Sequence, residues 1–306
     1  MKLAVFSTKD YDRRFFDAAR RAAVDVVYHA LPLRHDTAEL AHGADAVCVS
    51  VRDSLSAAPP RPHGGQRADV CTRGCRRVRS RARLDAQSAP PSGLQPCPRR
   101  LRDGNFTLDG LLGHTLHGKT MGLVGTGHIG AAMARIAYGL GCRVLACDHR
   151  PKLDLAGLVE YRPLDRLLPE CDIVSLHLPL GDSTHHLINA DSIALMKRGV
   201  MLVNTSRGGL VDTAAVLDAL KSGQVGSFGL DVYENEDGLF DQDHSSLVIH
   251  DDLLMRLTTF PNVVVCSHQA FFTEEAVAEI AQCTMRNLEE FAATGTCANS
   301  LVPRPT

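Results

Sequence analysis

Residues 121–130 read Met-Gly-Leu-Val-Gly-Thr-Gly-His-Ile-Gly, an apolar run that breaks into glycines at 125, 127 and 130. These ten residues restrict the fold more than any other part of the chain. Gly125 permits a tight turn after a strand, Gly127 lets the backbone approach a pyrophosphate, and Gly130 lets a following helix pack closely on that strand. Ala131, Ala132, Met133 and Ile136 supply the apolar face of such a helix. Its N-terminus offers N–H groups and a positive dipole end to phosphate. The next apolar run, 144–147, ends at Asp148, 18 residues past Gly130. A carboxylate there bonds the ribose hydroxyls of NAD and repels the extra phosphate of NADP, an exclusion that Arg150 slightly weakens. A glycine-rich turn with no ligand is the plainer reading, and it leaves the acid at that spacing unexplained.

Apolar strand-like runs recur at 121–124, 144–147, 173–176, 200–203, 228–232 and 263–266, with helical spacing between several of them, as at 129–140 and 213–220. Such alternation means a parallel sheet covered on both faces. The expected fold class is therefore α/β, with a Rossmann-type doubly wound parallel sheet. Runs at 1–6 and 46–51 flank a helical pattern carrying Phe15, Phe16, Ala19 and Ala22, a second β-α-β start. Residues 274–293 form an amphipathic helix with Val277, Ile280, Leu288 and Phe291 on one side. Thr273 is its expected N-cap, and Glu274 and Glu275 suit the positive end of its dipole.

The stretch 54–102 breaks this order. Its 49 residues hold 11 Arg and 7 Pro, no Lys, Ile, Phe, Met, Tyr or Trp, and only two acids, Asp69 and Asp85. The stretch alone carries +9 in a chain of net charge −2. Nothing in it has a period of 2 or 3.6, and little of it can bury a core. Arg, Pro, Ala, Gly and Ser are what a GC-rich gene yields in a shifted frame, so the segment reads as aberrant. The alternative is a basic disordered insert that binds an anion. The expected consequences are a disordered segment open to trypsin, exposed edges on the strands at 1–6 and 46–51, and slow or absent turnover.

Reducing a 2-keto acid requires three groups besides the cofactor, and the second half offers one of each where strands end. A carboxylate needs a cationic clamp, preferably a bidentate Arg, and the ketone oxygen needs a general acid that a carboxylate orients and charges. Arg207, His268 and Glu236 are residues of those types. Taken singly, each has a plainer reading. Arg207 suits a surface cation, Glu236 one more acid in an acidic loop, and His268 a polar cap on the run 263–266.

Their surroundings carry a resemblance. Val203-Asn-Thr-Ser-Arg-Gly-Gly-Leu-Val-Asp212, Leu230-Asp-Val-Tyr-Glu-Asn-Glu236 and Ser267-His-Gln-Ala-Phe271 resemble, in that order, the arginine, glutamate and histidine signatures of the D-isomer-specific 2-hydroxyacid dehydrogenases. Ser175-Leu-His-Leu-Pro-Leu180 is similar to the family loop beside the cofactor. The opening MKLAVFSTKDYD, the variant HQAFFT and the acidic stretch from Glu236 through Asp252 resemble the branch that reduces pyruvate to D-lactate. The resemblance covers roughly 1–53 and 103–302. It fails across 54–102, where the family has more chain, including a glycine-containing loop that meets the substrate carboxylate.

The resemblance implies an NAD-binding domain over 103–270. It also implies a second, discontinuous, flavodoxin-like α/β substrate domain from 1–102 and 271–306, partly degraded by the aberrant stretch, with a cleft between the two. It implies Arg207, Glu236 and His268 as catalytic groups. The implied cofactor-binding set is Gly125, Gly127, His128, Ile129, Gly130, Asp148, Leu178, Pro179, Thr205, Ser206 and Asp231, with Thr205 and Asp231 at the nicotinamide end. Two other readings stay open. One is the same chemistry on glyoxylate, hydroxypyruvate or a bulkier keto acid. The other is a non-catalytic NAD-binding protein, which the intact Arg207, Glu236 and His268 speak against.

The bulk numbers bound the rest. The net charge of −2 gives no footprint for nucleic acid or a membrane surface. No segment approaches the roughly 18 apolar residues of a span. The N-terminus meets charge too soon for a signal peptide. Ten cysteines without a CxxC, among them Cys48, Cys142, Cys147, Cys171 and Cys266 in or beside apolar runs, read as reduced core thiols of a cytoplasmic enzyme. His114, His117, His185, His186, His244 and His250 lack ligand spacing and read as surface or loop residues, so no metal is expected. The expected partners are NAD, a small 2-keto or 2-hydroxy acid, and further copies of the chain in a homo-oligomer.

Overall fold

Short runs of Val, Ile, Leu and Ala separated by polar turns become the strands of two parallel sheets in the computed structural model, which describes residues 1–50, 53, 113–240, 243–295, 297 and 299. The readings made for 54–102, and the expected domain boundary after residue 102, lie outside the described residues. In chain order the main elements are β1 (Lys2–Val5), α1 (Asp10–Ala18), β2 (Asp25–Tyr28), β3 (Ala46–Cys48), β4 (Thr120–Val124), α2 (His128–Gly139), β5 (Arg143–Cys147) and β6 (Glu160–Tyr161). They continue with α3 (Leu164–Leu167), β7 (Ile173–Leu176), α4 (Ala190–Ala194), β8 (Val200–Asn204), α5 (Thr213–Ser222), β9 (Val225–Leu230), α6 (Asp252–Thr258), β10 (Val263–Val265) and α7 (Glu274–Thr294). Contacts divide the chain into two units, Met1–Ala82 with Phe271–Thr306, and Arg83–Ala270.

In the first unit three parallel strands stand in the order β2-β1-β3, the 2-1-3 start of a flavodoxin-like sheet. The two-residue period of β1 divides its side chains between two cores. Leu3 and Val5 pack with Phe16 of α1 and with Ala281, Met285 and Leu288 of α7. Ala4, and Phe6 just beyond the strand, pack with Leu33 and Ala41 on the other face. Thr273 caps α7, its side chain accepting from the Ala276 N–H, as the sequence indicated. The buried stripe of α7 differs from the expected one. Val277 and Leu288 are buried, but Ala281 and Met285 complete the contact, while Ile280 and Phe291 are only half-buried. Helix α1 closes at Ala19, whose N–H reaches back to Phe15 and Asp17, so Ala22 lies in the exposed turn before β2.

The second unit holds seven parallel strands in the order β10-β9-β8-β7-β4-β5-β6. The chain starts at β4, runs outward through β5 and β6, then returns to β7 on the other side of β4. That reversal places a topological switch point between β4 and β7, the position where doubly wound sheets bind ligands at their carboxyl ends. All four residues of β7 are buried, as a strand covered on both faces requires. Two sequence expectations need correction. Strand β9 begins at Val225 rather than 228, because Gly226 and Gly229 dilute its apolar signal. Gly226 is fixed by packing, since a Cβ there would stand 2.4 Å from the Gly199 carbonyl oxygen. Strands β2 and β6 were not expected: β6 is only two residues long, and β2 carries just two aliphatic residues, Val26 and Val27.

Met285 is fully buried in the first unit's core. Met285→Ala should lower stability by about 2–5 kcal/mol, the usual scale for deleting a buried Met side chain. Equilibrium urea denaturation checks this, and a loss under about 0.5 kcal/mol would show that α7 does not carry that core.

Candidate active site

The turn after β4 separates its three glycines by task. Gly125 has φ +95, and a Cβ on it would stand 2.5 Å from the His177 carbonyl oxygen. A Cβ on Gly130 would stand 2.0 Å from the Gly125 carbonyl oxygen. Both positions are closed by the protein itself. A Cβ on Gly127 would meet nothing within 4 Å. Open space at that glycine, against the N-terminus of the 12-residue helix α2, is what a pyrophosphate needs. His128, exposed, and Ile129, half-buried, form the first turn of that helix.

Asp148 follows β5 and is held on both sides. Its Oδ2 accepts from the Thr126 backbone N–H at 2.5 Å and from Thr126 Oγ1 at 2.9 Å, and its Oδ1 accepts from the Arg150 N–H at 2.8 Å. Burial pushes this carboxyl up, but those hydrogen bonds and the His149 charge outweigh it and hold Asp148 below the usual aspartate range. Tyr161 donates to Thr126 Oγ1 at 3.1 Å and accepts from the Lys152 N–H at 3.0 Å. The acid expected to read the ribose is thus also a strut for the phosphate turn.

At the other end, Asn204, Thr205 and Ser206 are buried after β8. Asn204 accepts from the Ser206 N–H at 3.1 Å and donates to the Arg207 carbonyl at 2.8 Å. Ser206 Oγ donates to the Leu178 carbonyl at 2.5 Å, which ties the loop after β7, with half-buried Leu178 and exposed Pro179, to the arginine turn. Arg207 is half-buried, with Nη1 donating to the Ser206 carbonyl at 2.6 Å.

His268 follows β10 with φ +53, a left-handed backbone uncommon outside glycine. Asp231 holds it there. The Asp231 carbonyl accepts from the His268 N–H at 2.7 Å, and its buried carboxylate accepts from the N–H groups of Gln269 and Ala270. Within that turn, His268 Nδ1 lies 2.7 Å from Glu236 Oε1. Glu236 Oε2 accepts from the Tyr233 N–H at 3.0 Å. Burial pushes the Glu236 carboxyl up. The bond to His268, the Tyr233 N–H and the charges of His268 and Arg207 outweigh burial, so Glu236 stays below the usual glutamate range. A carboxylate whose pKa is depressed in the fold stabilises that fold above its ordinary pKa, and the contribution fades as pH falls through the depressed value.

The sequence-expected residues therefore gather at the carboxyl ends of β4, β5, β7, β8, β9 and β10. Glu236 and His268 are in direct contact, and Arg207 acts on Glu236 through its charge. An imidazole with Nδ1–H donating to a carboxylate keeps a second nitrogen, Nε2, for proton transfer, and a nearby guanidinium binds a carboxylate. The sequence reading missed Thr126 and Tyr161, and it set His186 aside as a loop residue. In the structure His186 Nε2 pairs with Glu234 Oε2 at 2.9 Å. Glu234 stands inside the Leu230–Glu236 motif, the one signal that pointed to it. Among the described residues no cluster of His, Cys, Asp or Glu is arranged to hold a metal, and no helix is long and apolar enough to cross a membrane.

A doubly wound parallel sheet with an open glycine at its switch point, an acid after the second strand and a His–Glu pair beyond the sixth and seventh defines an NAD-dependent oxidoreductase. The family described as D-isomer specific 2-hydroxyacid dehydrogenase, NAD binding domain, matches residues 92–270. A D-lactate dehydrogenase of Curvularia clavata is 48% identical over 339 aligned residues, covering 99% of this chain and 95% of that protein. That aligned length exceeds the 306 residues of this chain, which is therefore the shorter of the two within the aligned span. The 2-hydroxyacid dehydrogenase A of Aspergillus oryzae is 47% identical, again over 99% of this chain and 95% of that protein. The solved pyruvate reductase of Chlamydomonas reinhardtii superposes with a TM-score of 0.83 at 35% identity, covering 96% of each chain. The chain belongs to the D-isomer-specific 2-hydroxyacid dehydrogenase family, as an NAD-dependent enzyme acting on a small 2-keto or 2-hydroxy acid.

Gly127 and Gly130 separate experimentally. Gly127→Ala should leave the urea midpoint unchanged and weaken NADH binding, because its methyl group would occupy the open space. Gly130→Ala should lower stability outright, because its Cβ collides with backbone. Asp148→Ala should reduce the preference for NADH over NADPH in a fluorescence titration. Unchanged NADH affinity in Gly127→Ala, or an unchanged preference in Asp148→Ala, would remove those residues from the cofactor site.

Proposed function

We propose that this chain reduces pyruvate to D-lactate, with His268 as the acid/base, Glu236 as the carboxylate that orients and charges it, and Arg207 as the clamp for the substrate carboxylate. The 2.7 Å contact between His268 Nδ1 and Glu236 Oε1 carries the reading. With Nδ1–H directed at Glu236, the transferable proton sits on Nε2. Bound NADH supplies a hydride to C2 of the keto acid. His268 gives its proton to the ketone oxygen as that oxygen gains charge, and Glu236 stabilises the imidazolium before transfer. Arg207 binds the carboxylate through two parallel N–H bonds and fixes which face of the ketone is presented. Pyruvate is preferred as substrate on the names of two relatives, a D-lactate dehydrogenase and a pyruvate reductase.

In this reading residues 103–270 form the NAD-binding domain, and the N-terminal residues with α7 form the substrate domain. Buried free thiols at Cys142, Cys171 and Cys283 suit a cytoplasmic enzyme. The exposed apolar residues Ile136, Tyr138 and Leu140 at the end of α2 suit a homo-oligomer, which light scattering tests.

The composition of 54–102 makes the chain a slow catalyst as it stands. Replacing 54–102 by the corresponding segment of the Curvularia relative should raise pyruvate-dependent NADH oxidation by roughly 10²-fold, because the family resemblance fails across that stretch and turnover depends on exact positioning. Equal rates would show that 54–102 is a working part of the domain. In the replaced chain, His268→Gln should cut kcat by roughly 10²-fold or more. Arg207→Lys should raise the pyruvate KM strongly, since a point charge does not replace a two-pronged clamp. Glu236→Gln should lower kcat, because a neutral amide can still accept from His268 Nδ1–H but no longer stabilises the imidazolium by charge. Near-normal turnover by His268→Gln would overturn the acid/base assignment.

A further inference from the structure

Glu234 lies two residues before Glu236, and its carboxylate faces away from His268. Oε1 accepts from the Thr213 N–H at 3.2 Å, at the start of α5. Oε2 lies 2.9 Å from His186 Nε2, and the Glu234 side chain is 18% exposed. His186 belongs to the loop that follows β7. Its own backbone is pinned, with the His186 N–H donating to the Gly209 carbonyl at 2.8 Å and its carbonyl accepting from Asn189 Nδ2 at 3.1 Å. Its φ is +46, so the ring is delivered to Glu234 from a left-handed turn.

The segment that Glu234 occupies is also packed from behind. A Cβ on Gly208, next to Arg207, would stand 2.1 Å from the Tyr233 carbonyl carbon and 2.3 Å from the Glu234 nitrogen. The arginine turn therefore rests on the Tyr233–Glu234 peptide. Tyr233 itself is buried, its hydroxyl donating to Asp251 at 2.8 and 2.9 Å. Three segments meet at Glu234: the turn after β8 packs on its peptide, the loop after β7 bonds its side chain, and the loop after β9 carries it. His186 is the side chain that bridges the second to the third.

We propose that His186 is a positioning residue: through its bond to Glu234 it fixes the loop that presents Glu236 to His268. A carboxylate held by a histidine on one side and a backbone N–H on the other has little freedom to rotate, and neither has the chain two residues on. The pair acts on His268 through the two-residue step of chain from Glu234 to Glu236. The inference rests on the proposed His268–Glu236 acid/base pair, and the test separates the two.

The readout is the far-downfield proton resonance of the His268 Nδ1–H, followed in the full-length chain and assigned by its loss in His268→Gln. It needs no turnover. His186→Leu removes the donor. His186→Asn keeps a polar group but is too short to reach Glu234. Both should speed exchange of the His268 proton with solvent by roughly tenfold, the size expected for losing one hydrogen bond to a charged acceptor. His186→Gln, whose amide nitrogen reaches the place of Nε2, should return exchange to within about twofold of the parent chain. NADH affinity and urea midpoint, measured on the same samples, establish that the variants are folded. Parent-like exchange in both His186→Leu and His186→Asn would overturn the proposal while leaving the His268–Glu236 reading intact. So would an equal effect in His186→Gln, because the hydrogen bond would then not be the cause. If the parent chain shows no such resonance, or Glu236→Gln leaves it unchanged, the acid/base reading itself fails.

Discussion

The closest constraint in the larger unit is the approach of three backbone segments at the switch point. Gly130 lies against the Gly125 carbonyl, and Gly125 lies against the His177 carbonyl. Side chains on either glycine would push α2 off β4, or β4 away from the loop after β7. Everything else at the site is referenced to that junction. Asp148 reaches it through Thr126, and the arginine turn reaches it through Ser206 and Leu178. A parallel sheet leaves the carboxyl ends of its strands facing one way. Once the junction fixes β4 and β7, the turns after β8, β9 and β10 are brought to the same edge by strand pairing.

The histidine turn shows how the fold stabilises an unusual backbone. A non-glycine residue in the left-handed region costs of order 1–3 kcal/mol and persists where surrounding bonds over-determine it. Asp231 supplies those bonds, with its carbonyl on His268 and its carboxylate on the next two N–H groups. The sequence reading placed Asp231 with the cofactor. The structure gives it a task within the protein, the shaping of the His268 turn. Asp148, expected from the sequence to read the ribose, likewise braces the turn after β4 through Thr126. At this edge of the sheet, acids that suit a ligand also satisfy backbone N–H groups.

Much of this was legible beforehand because the doubly wound unit is written in strong local signals. Short, largely apolar runs gave β4, β5, β7, β8 and β10, and glycine spacing gave the turn between β4 and α2. Thr273, the acids that follow it and an amphipathic pattern announced α7. The losses have physical causes. Strand β9 was masked by glycines demanded by close neighbours. Strand β6 is too short for any period to show. The stripe of α7 was misread because small and flexible residues, Ala281 and Met285, make the contact that larger side chains seemed to claim. The His186–Glu234 pair was invisible because its members are 48 residues apart and meet only through the sheet order. The chemistry was read more through three ordered signatures than through any single residue, since Arg207, Glu236 and His268 each have an unremarkable reading when taken alone.

In the proposed reaction NADH would supply the hydride to C2 of pyruvate, and His268 the proton to the ketone oxygen, on a fixed face of the ketone. That reaction is tested most directly by the product. Pyruvate reduced by the chain carrying the Curvularia segment, with NADH deuterated at the transferable C4 position, should give D-lactate with one deuterium at C2. Lactate of the L configuration, or D-lactate without deuterium, would contradict it.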